Sequence, residues 1–424
     1  MYSIVFAGPI NSRSGYGARS LDIARTLVDG GYNVGFILTS WGNCPNNVLD
    51  KNNPQDNEIL SRIITTGLNY KPSVFLQCTI PNEFQPIGIY NIGITAGIET
   101  DTCRLEWIEG CNKMDLVLVS SNHARNVFKN IKFDKVDKQT QQSIEQIGLT
   151  TKCEVLIEGC DVGVYTPKNI TSIPSLDNLP KFNFLCVGHW LQGDLGADRK
   201  DIGMLIHTFL NTFIQIHPKN QPGLVLKVSG AGFSITEKEA IITKIEAIKK
   251  MVKNATTSKN PLPPIYLLYG DLTDLEMNSV YNHPAIKAMV SFTHGEGFGR
   301  PLLEFKTTNK PIVASGWSGH VDFLDKETSV LLPGQLAQVP HSAVNDWIIA
   351  ESRWFNVDYN VAAQFLFDMF KNYDKYLDKS RKNNTFVKNN FSTANMTEQL
   401  NSFIQDKIIN VPILTQLQLP IINN

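Results

Sequence analysis

Short apolar runs rich in β-branched and aromatic residues alternate along this chain with longer stretches whose apolar residues recur at helical spacing. The first run, Tyr2 to Ala7, stops at Gly8-Pro9, and a polar, glycine-containing stretch then leads into Arg19 to Asp29, where Leu21, Ala24, Leu27 and Val28 share one helical face. Further strands are predicted at Val34 to Leu38, Val74 to Gln77, Tyr90 to Ile94, Leu116 to Val119 and Cys153 to Ile157. A second series follows at Phe182 to Val187, Leu224 to Val228, Ile265 to Tyr269 and Ala288 to Phe292, and helices are predicted at Asn360 to Asp378 and Asn395 to Ile409. Strands alternating with helices in this way imply parallel sheets covered on both faces, an α/β fold.

Residues 166–181, TPKNITSIPSLDNLPK, have the composition of a connector between compact units. The expected organisation is therefore two Rossmann-like parallel-sheet domains, 1–165 and 166–394. The helix at about 395–410 is a candidate to pack back on the first domain, and 411–424 is a tail. A length of 424 residues agrees, since one hydrophobic core rarely grows so large.

Composition narrows the function. Thirty-nine Lys and Arg against 40 Asp and Glu give a net charge of −1, so no global field draws the protein to nucleic acid or an anionic membrane. The seven cysteines form no CxxC pair and read as reduced thiols. No HxxH or HExxH spacing and no DxD at a strand end suggest a metal. The start MYSIVFAGP lacks a basic n-region, and 18 consecutive apolar residues occur nowhere, so a soluble, cytoplasmic protein without membrane insertion is expected. Lys129 to Thr151 is polar and charged; it reads as a solvated excursion and is the best candidate for an acceptor-binding insertion.

The strongest chemical signal is His294-Gly-Glu-Gly-Phe-Gly-Arg-Pro-Leu-Leu-Glu304, directly after the strand Ala288 to Phe292. Pro301 suits a first helical turn, and Gly295, Gly297 and Gly299 let a ligand approach the backbone around Gly299 and Arg300, with Phe298 also a donor-binding candidate. Free N–H groups at a helix start favour phosphate. Glu296 and Glu304 cannot neutralise phosphate, so their natural partners are hydroxyl groups. Diphosphate between two polyols describes a nucleotide-sugar; the alternative is a glycine-rich turn with two solvent-facing glutamates.

Glu296 and Glu304 in EGFGRPLLE match the E-x7-E signature of the retaining family 4 glycosyltransferases, which the chain resembles. That family has the GT-B fold, two Rossmann-like domains facing across a cleft. The resemblance implies a UDP- or GDP-sugar donor and no permanently bound cofactor. It places Glu296 at the donor sugar, Glu304 at the ribose, and the amides of Gly297 to Arg300 at the diphosphate. Val155 to Pro167 is similar to the family's joining segment, with Gly159, Asp161 and Pro167 at matching positions, and Pro311 to His320 to its following strand and turn, both assigned to structure.

Gly188 precedes Arg199 and Lys200, cations of the type the family sets against the donor diphosphate, here adjacent rather than several residues apart. Fixed positive charge stabilises a departing nucleoside diphosphate. A solvated pair is the alternative. The loop Gly8 to Ser20 departs from GxGxxG at Ser20; Gly15, Tyr16 and Gly17 are candidates for the donor side of the cleft, a tight turn being the alternative. Glu99 follows the strand Tyr90 to Ile94, where relatives keep a histidine, and is either an acceptor-orienting group or a structural carboxylate; His123 reads as structural. Ser14 to Arg19, Pro81 to Pro86 and Gly93 to Thr100 resemble glycosyltransferases predicted in tailed bacteriophages, which leaves a glycan, modified DNA or a protein as acceptor and a host cytoplasm as the setting. The competing functions are a non-catalytic nucleotide-sugar or glycan-binding protein and a nucleotide-sugar epimerase or phosphorylase.

Overall fold

The computed structural model describes residues 2–136, 143–168, 170–230, 232–383 and 385–408. The first half runs β1 (Ile4–Gly8), α1 (Gly15–Asp29), β2 (Val34–Leu38), α2 (Pro54–Ser61), β3 (Val74–Cys78), β4 (Tyr90–Thr95), α3 (Leu105–Cys111), β5 (Leu116–Val119) and α4 (Asn122–Asn130). An antiparallel hairpin, β6 (Lys132–Val136) and β7 (Ser143–Gly148), and then β8 (Lys152–Val155) complete it. Six of these strands form one parallel sheet in the order β2-β1-β3-β4-β5-β8. Every residue of β1 and β5 is buried, which is why they read as unbroken apolar runs.

The second half begins with β9 (Asn183–His189), α5 (Ile202–Phe213), β10 (Gly223–Ser229), α6 (Ile235–Ala255), β11 (Ile265–Leu267) and α7 (Asp274–Asn282). It continues through β12 (Ile286–Ser291), α8 (Arg300–Lys306), β13 (Ile312–Ser315), β14 (Val330–Leu332) and a short antiparallel pair, β15 (Gly334–Gln338) and β16 (Arg353–Val357). Its parallel sheet has the order β11-β10-β9-β12-β13-β14. Strand order reverses between β1 and β3 in the first sheet and between β9 and β12 in the second; ligands of open α/β sheets bind where such reversals leave a crevice at the strands' carboxyl ends.

Four C-terminal helices follow: α9 (Tyr359–Lys371), α10 (Tyr373–Arg381), α11 (Phe386–Asn390) and α12 (Thr393–Ile404). The single helix expected over Asn360 to Asp378 is thus two. It breaks at Asn372 (φ −121°, ψ 43°), whose side chain donates to Asp368 at 2.6 Å, a local bond that competes with the helical backbone. Helix α1 starts at Gly15, four residues before the expected Arg19, because Ser14 caps it by accepting from the Gly17 amide at 3.0 Å. Gly15, Tyr16 and Gly17 therefore form its first turn. Residues 409–410 of the predicted last helix, the tail 411–424, and residues 137–142 of the insertion lie outside the described residues. No helix among the described residues is long and apolar enough to cross a membrane.

The last helix packs back on α1 and the turn after it: Thr397 bonds Thr26 at 3.2 Å, and Asn401 accepts from Tyr32 at 2.9 Å. We place the join between the halves at two crossings that pair side by side. Cys160 N–H donates to Phe391 O at 2.8 Å and Thr393 N–H to Cys160 O at 3.0 Å. A Cβ on Gly159 would stand 2.6 Å from Thr393 Cα, so only glycine lets the crossings approach this closely. Arg19, fully buried on α1, pins the outgoing crossing by donating to Leu156 O at 2.7 Å, with Glu158 at 3.8 Å. Arg19→Leu should strand that carbonyl and the buried Glu158, costing about 3–5 kcal/mol. Urea unfolding checks this; a loss under about 1 kcal/mol would contradict it.

Candidate functional site

The topology delivers the site. The carboxyl end of β9 leads to Arg199 and Lys200, and that of β12 to Gly295 and Glu296, so the reversal point of the second sheet brings both segments together. Arg199 lies 3.3 Å from one oxygen of Glu296, donates to Gly295 O at 3.1 Å, and meets Glu99 of the other domain at 3.0 Å. Lys200 grips the second oxygen of Glu296. Adjacent in sequence, the two cations converge because the Lys200 stem runs over Gly188, where an added Cβ would stand 3.2 Å from Lys200 Cε.

Electrostatics make the two glutamates unlike. Burial works against the charge of Glu296, but Lys200 and Arg199 outweigh it and hold the acid down at about 2. Glu304 is also buried; burial dominates there, Arg300 opposes it and Asp274 adds to it, and the acid is pushed up to about 7. Its oxygens accept from Tyr281 at 3.0 Å and Arg300 at 2.9 Å. Arg300 also reaches across the cleft to Asp22 of α1. Burial raises Glu99 as well, against the pull of Arg199.

The glycines divide by role. A Cβ on Gly295 would sit 1.9 Å from Glu99 O, and one on Gly297 would sit 2.4 Å from Ala96 O, so the loop lies against the backbone of the opposite domain. Ser120 seals this contact, its one hydroxyl proton shared between Ala96 O and, at 3.1 Å, Gly297 O. Gly299 starts α8 in the left-handed region (φ 99°). Among the described residues the amides of Gly297, Phe298, Gly299 and Arg300 have no acceptor. Ser318 holds the loop from behind by accepting from the Glu296 amide at 2.9 Å.

Several candidates sit elsewhere than expected. The Phe298 side chain packs against Phe323 and Phe391 in the core, which leaves its backbone alone for a ligand. Gly17 is packed within its own loop, where a Cβ would meet Ser12 O at 1.9 Å, while Gly15 is exposed with nothing near it. Tyr16 turns inward, bonded to Thr95 Oγ1 at 2.8 Å and accepting from the Ala96 amide at 3.2 Å. His123, expected to be structural, is half-buried, bonded to Thr100 O at 3.1 Å and edge-on to Trp317.

Sequence reasoning missed Asp22, Glu158, Tyr281 and the pair Trp41 and Trp347, which bridges the domains with ring centroids 5.7 Å apart while Trp41 stacks on Tyr16 at 3.9 Å. Asp22 and Arg19 had one available signal: spaced three apart, they put opposite charges on the inward face of α1. His294 stacks on Trp354 at 4.1 Å, and burial holds it down at about 4, a neutral support under the loop.

Two facing Rossmann-like domains with a glycine loop at the cleft are the GT-B glycosyltransferase fold. No protein-family model matches the chain, and no curated protein matches it in sequence. Solved structures do match in fold. The Anabaena protein HepE, solved in complex with UDP and glucose, superposes with a TM-score of 0.59 at 12% identity over 96% of this chain and 100% of its own. A glycosyltransferase from Rickettsia africae gives 0.60 at 13% over 97% and 99%. A trehalose-6-phosphate synthase, described in terms of glycosyl transfer with retention, gives 0.58 at 13% over 95% and 99%.

The raised acid of Glu304 has a thermodynamic signature. Its folded value of about 7 lies above the ordinary 4.5, so its contribution to stability is complete below pH 4.5 and is lost as pH rises to about 7. Glu304→Gln should remove roughly 3 kcal/mol of that decline. Urea unfolding of both proteins at pH 5 and 8 reads the difference; equal pH dependence would refute it.

Proposed function

We propose that this chain is a retaining glycosyltransferase that moves a sugar from a UDP- or GDP-linked donor to an acceptor hydroxyl, with Arg199 and Lys200 serving the leaving group in place of a divalent ion. One observation carries the reading: two cations, an ionised Glu296 and four unclaimed loop amides meet where the second sheet reverses, facing the other domain. The UDP and glucose bound by HepE and the retention ascribed to trehalose-6-phosphate synthase support its finer parts.

In this scheme the diphosphate lies on the amides of Gly297 to Arg300, and Glu304 exchanges its contact with Tyr281 for the ribose hydroxyls. The bond from the sugar C1 to the phosphate oxygen breaks with its electron pair going to phosphate, where Arg199 and Lys200 offset the growing charge. Glu296 faces the positive charge developing on the sugar. The acceptor hydroxyl attacks C1 from the face the phosphate leaves and passes its proton to that phosphate oxygen. Donor entry requires the loop to part from Ala96 and Glu99; Glu99 then changes partner from Arg199 to the acceptor.

Thermal denaturation with UDP, GDP, UDP-glucose and GDP-mannose tests the donor. A ligand at a hundred times its dissociation constant adds about 2.7 kcal/mol to stability. Glu296→Gln should keep that stabilisation yet lower donor turnover by about 10²–10³. Stabilisation by none of the four, or unchanged turnover in the variant, would remove the reading.

A further inference from the structure

Beside the charged cluster lies a groove of about 670 Å³, walled by both domains. Asp101, Arg104 and Glu106, at the entrance to α3, form one wall; Glu351 and Arg353, leading into β16, form the other; Phe133 of the β6 hairpin contributes an apolar face. The volume falls in the range of small-molecule sites, about 300–1,000 Å³.

The groove is strapped to the reaction centre from both sides. Asp101 stands two residues beyond Glu99, its amide donates to Arg353 O at 3.0 Å, and its carboxylate accepts from Arg353 N–H at 2.7 Å and Nε at 2.8 Å. Two residues past Arg353, the Phe355 amide donates to His294 O at 2.9 Å, next to Gly295. Arg104 crosses to Asp346 O at 3.0 Å. The Asp101–Arg353 and Arg104–Asp346 bonds join different domains, so the groove takes this shape when the cleft is closed.

Its chemistry selects among acceptors. Asp101 and Arg353 neutralise each other, Arg104 is spent on carbonyls, and Glu106 and Glu351 are exposed without an ion-pair partner among the described residues. A nucleic-acid strand needs a positive track and would meet two carboxylates instead. Sugar hydroxyls donate to carboxylates such as these two, and an aromatic ring covers apolar ligand surface. Resting on the glycosyltransferase reading, we propose that this groove holds the acceptor, that the acceptor is a neutral glycan, and that Phe133 of β6 forms part of its seat.

The test offers maltotriose, cellotriose, chitotriose and a short DNA duplex to the wild type and to the Glu106→Arg/Glu351→Arg variant, with whichever of UDP-glucose or GDP-mannose stabilises the protein. Both positions are exposed, so melting temperature and nucleotide-induced stabilisation should be retained. Transfer to a trisaccharide with an acceptor KM raised about tenfold or more in the variant is expected. An unchanged KM, transfer to DNA in preference to sugars, or donor hydrolysis with no trisaccharide accepted overturns the proposal. Failure of both donors to stabilise the wild type condemns the glycosyltransferase reading separately. The groove is then judged by saturation-transfer NMR with the same trisaccharides, where a signal lost in the variant supports it and no signal refutes it.

Discussion

Everything at this cleft depends on bare backbone meeting bare backbone. Gly295 and Gly297 lie against Glu99 and Ala96 with no room for a methyl group, and Glu296 stands between them. That approach puts Arg199 within 3.0 Å of Glu99 while it also serves Glu296. A side chain at either glycine would wedge the domains apart and leave half-buried charges without partners, which is costlier than never having assembled them.

The charges are arranged so that neighbouring carboxylates have different work. Glu296, between two cations, stays ionised at any physiological pH and suits electrostatic stabilisation. Glu304, with one arginine shared with Asp22 and a tyrosine hydroxyl, sits near neutrality and suits hydrogen bonding. One short strand-to-helix segment supplies both, because the left-handed start at Gly299 turns the chain sharply between them. Apart from Arg300, the asymmetry comes from three other segments: the loop carrying Arg199 and Lys200, α1 and α7.

That division also explains what the sequence could and could not reveal. The strand series, the glycine loop and its two glutamates were legible because consecutive residues carry them, with periodicity and helix-start chemistry as independent support. Arg199 and Lys200 were legible as a pair, but their convergence on one carboxylate depends on the space above Gly188, a property of folded backbone. Asp22, Tyr281, Trp41 and Trp347 were hidden: each is an isolated residue with no pattern around it, and only the packing of two domains brings them to the cleft. The early start of α1 was obscured because Gly15 and Gly17 are poor helix formers that the Ser14 cap compensates.

The paired crossings at Cys160 and Thr393 bear on how the cleft moves. A single linking strand would let one half swivel freely about its bonds. Two strands laid side by side and laced by amide hydrogen bonds resist twisting yet still bend, as a door leaf does on its pin. Movement about such a pair would return the glycine loop to the same stretch of the opposite face, so that close fits such as that between Gly295 and Glu99 re-form when the cleft shuts.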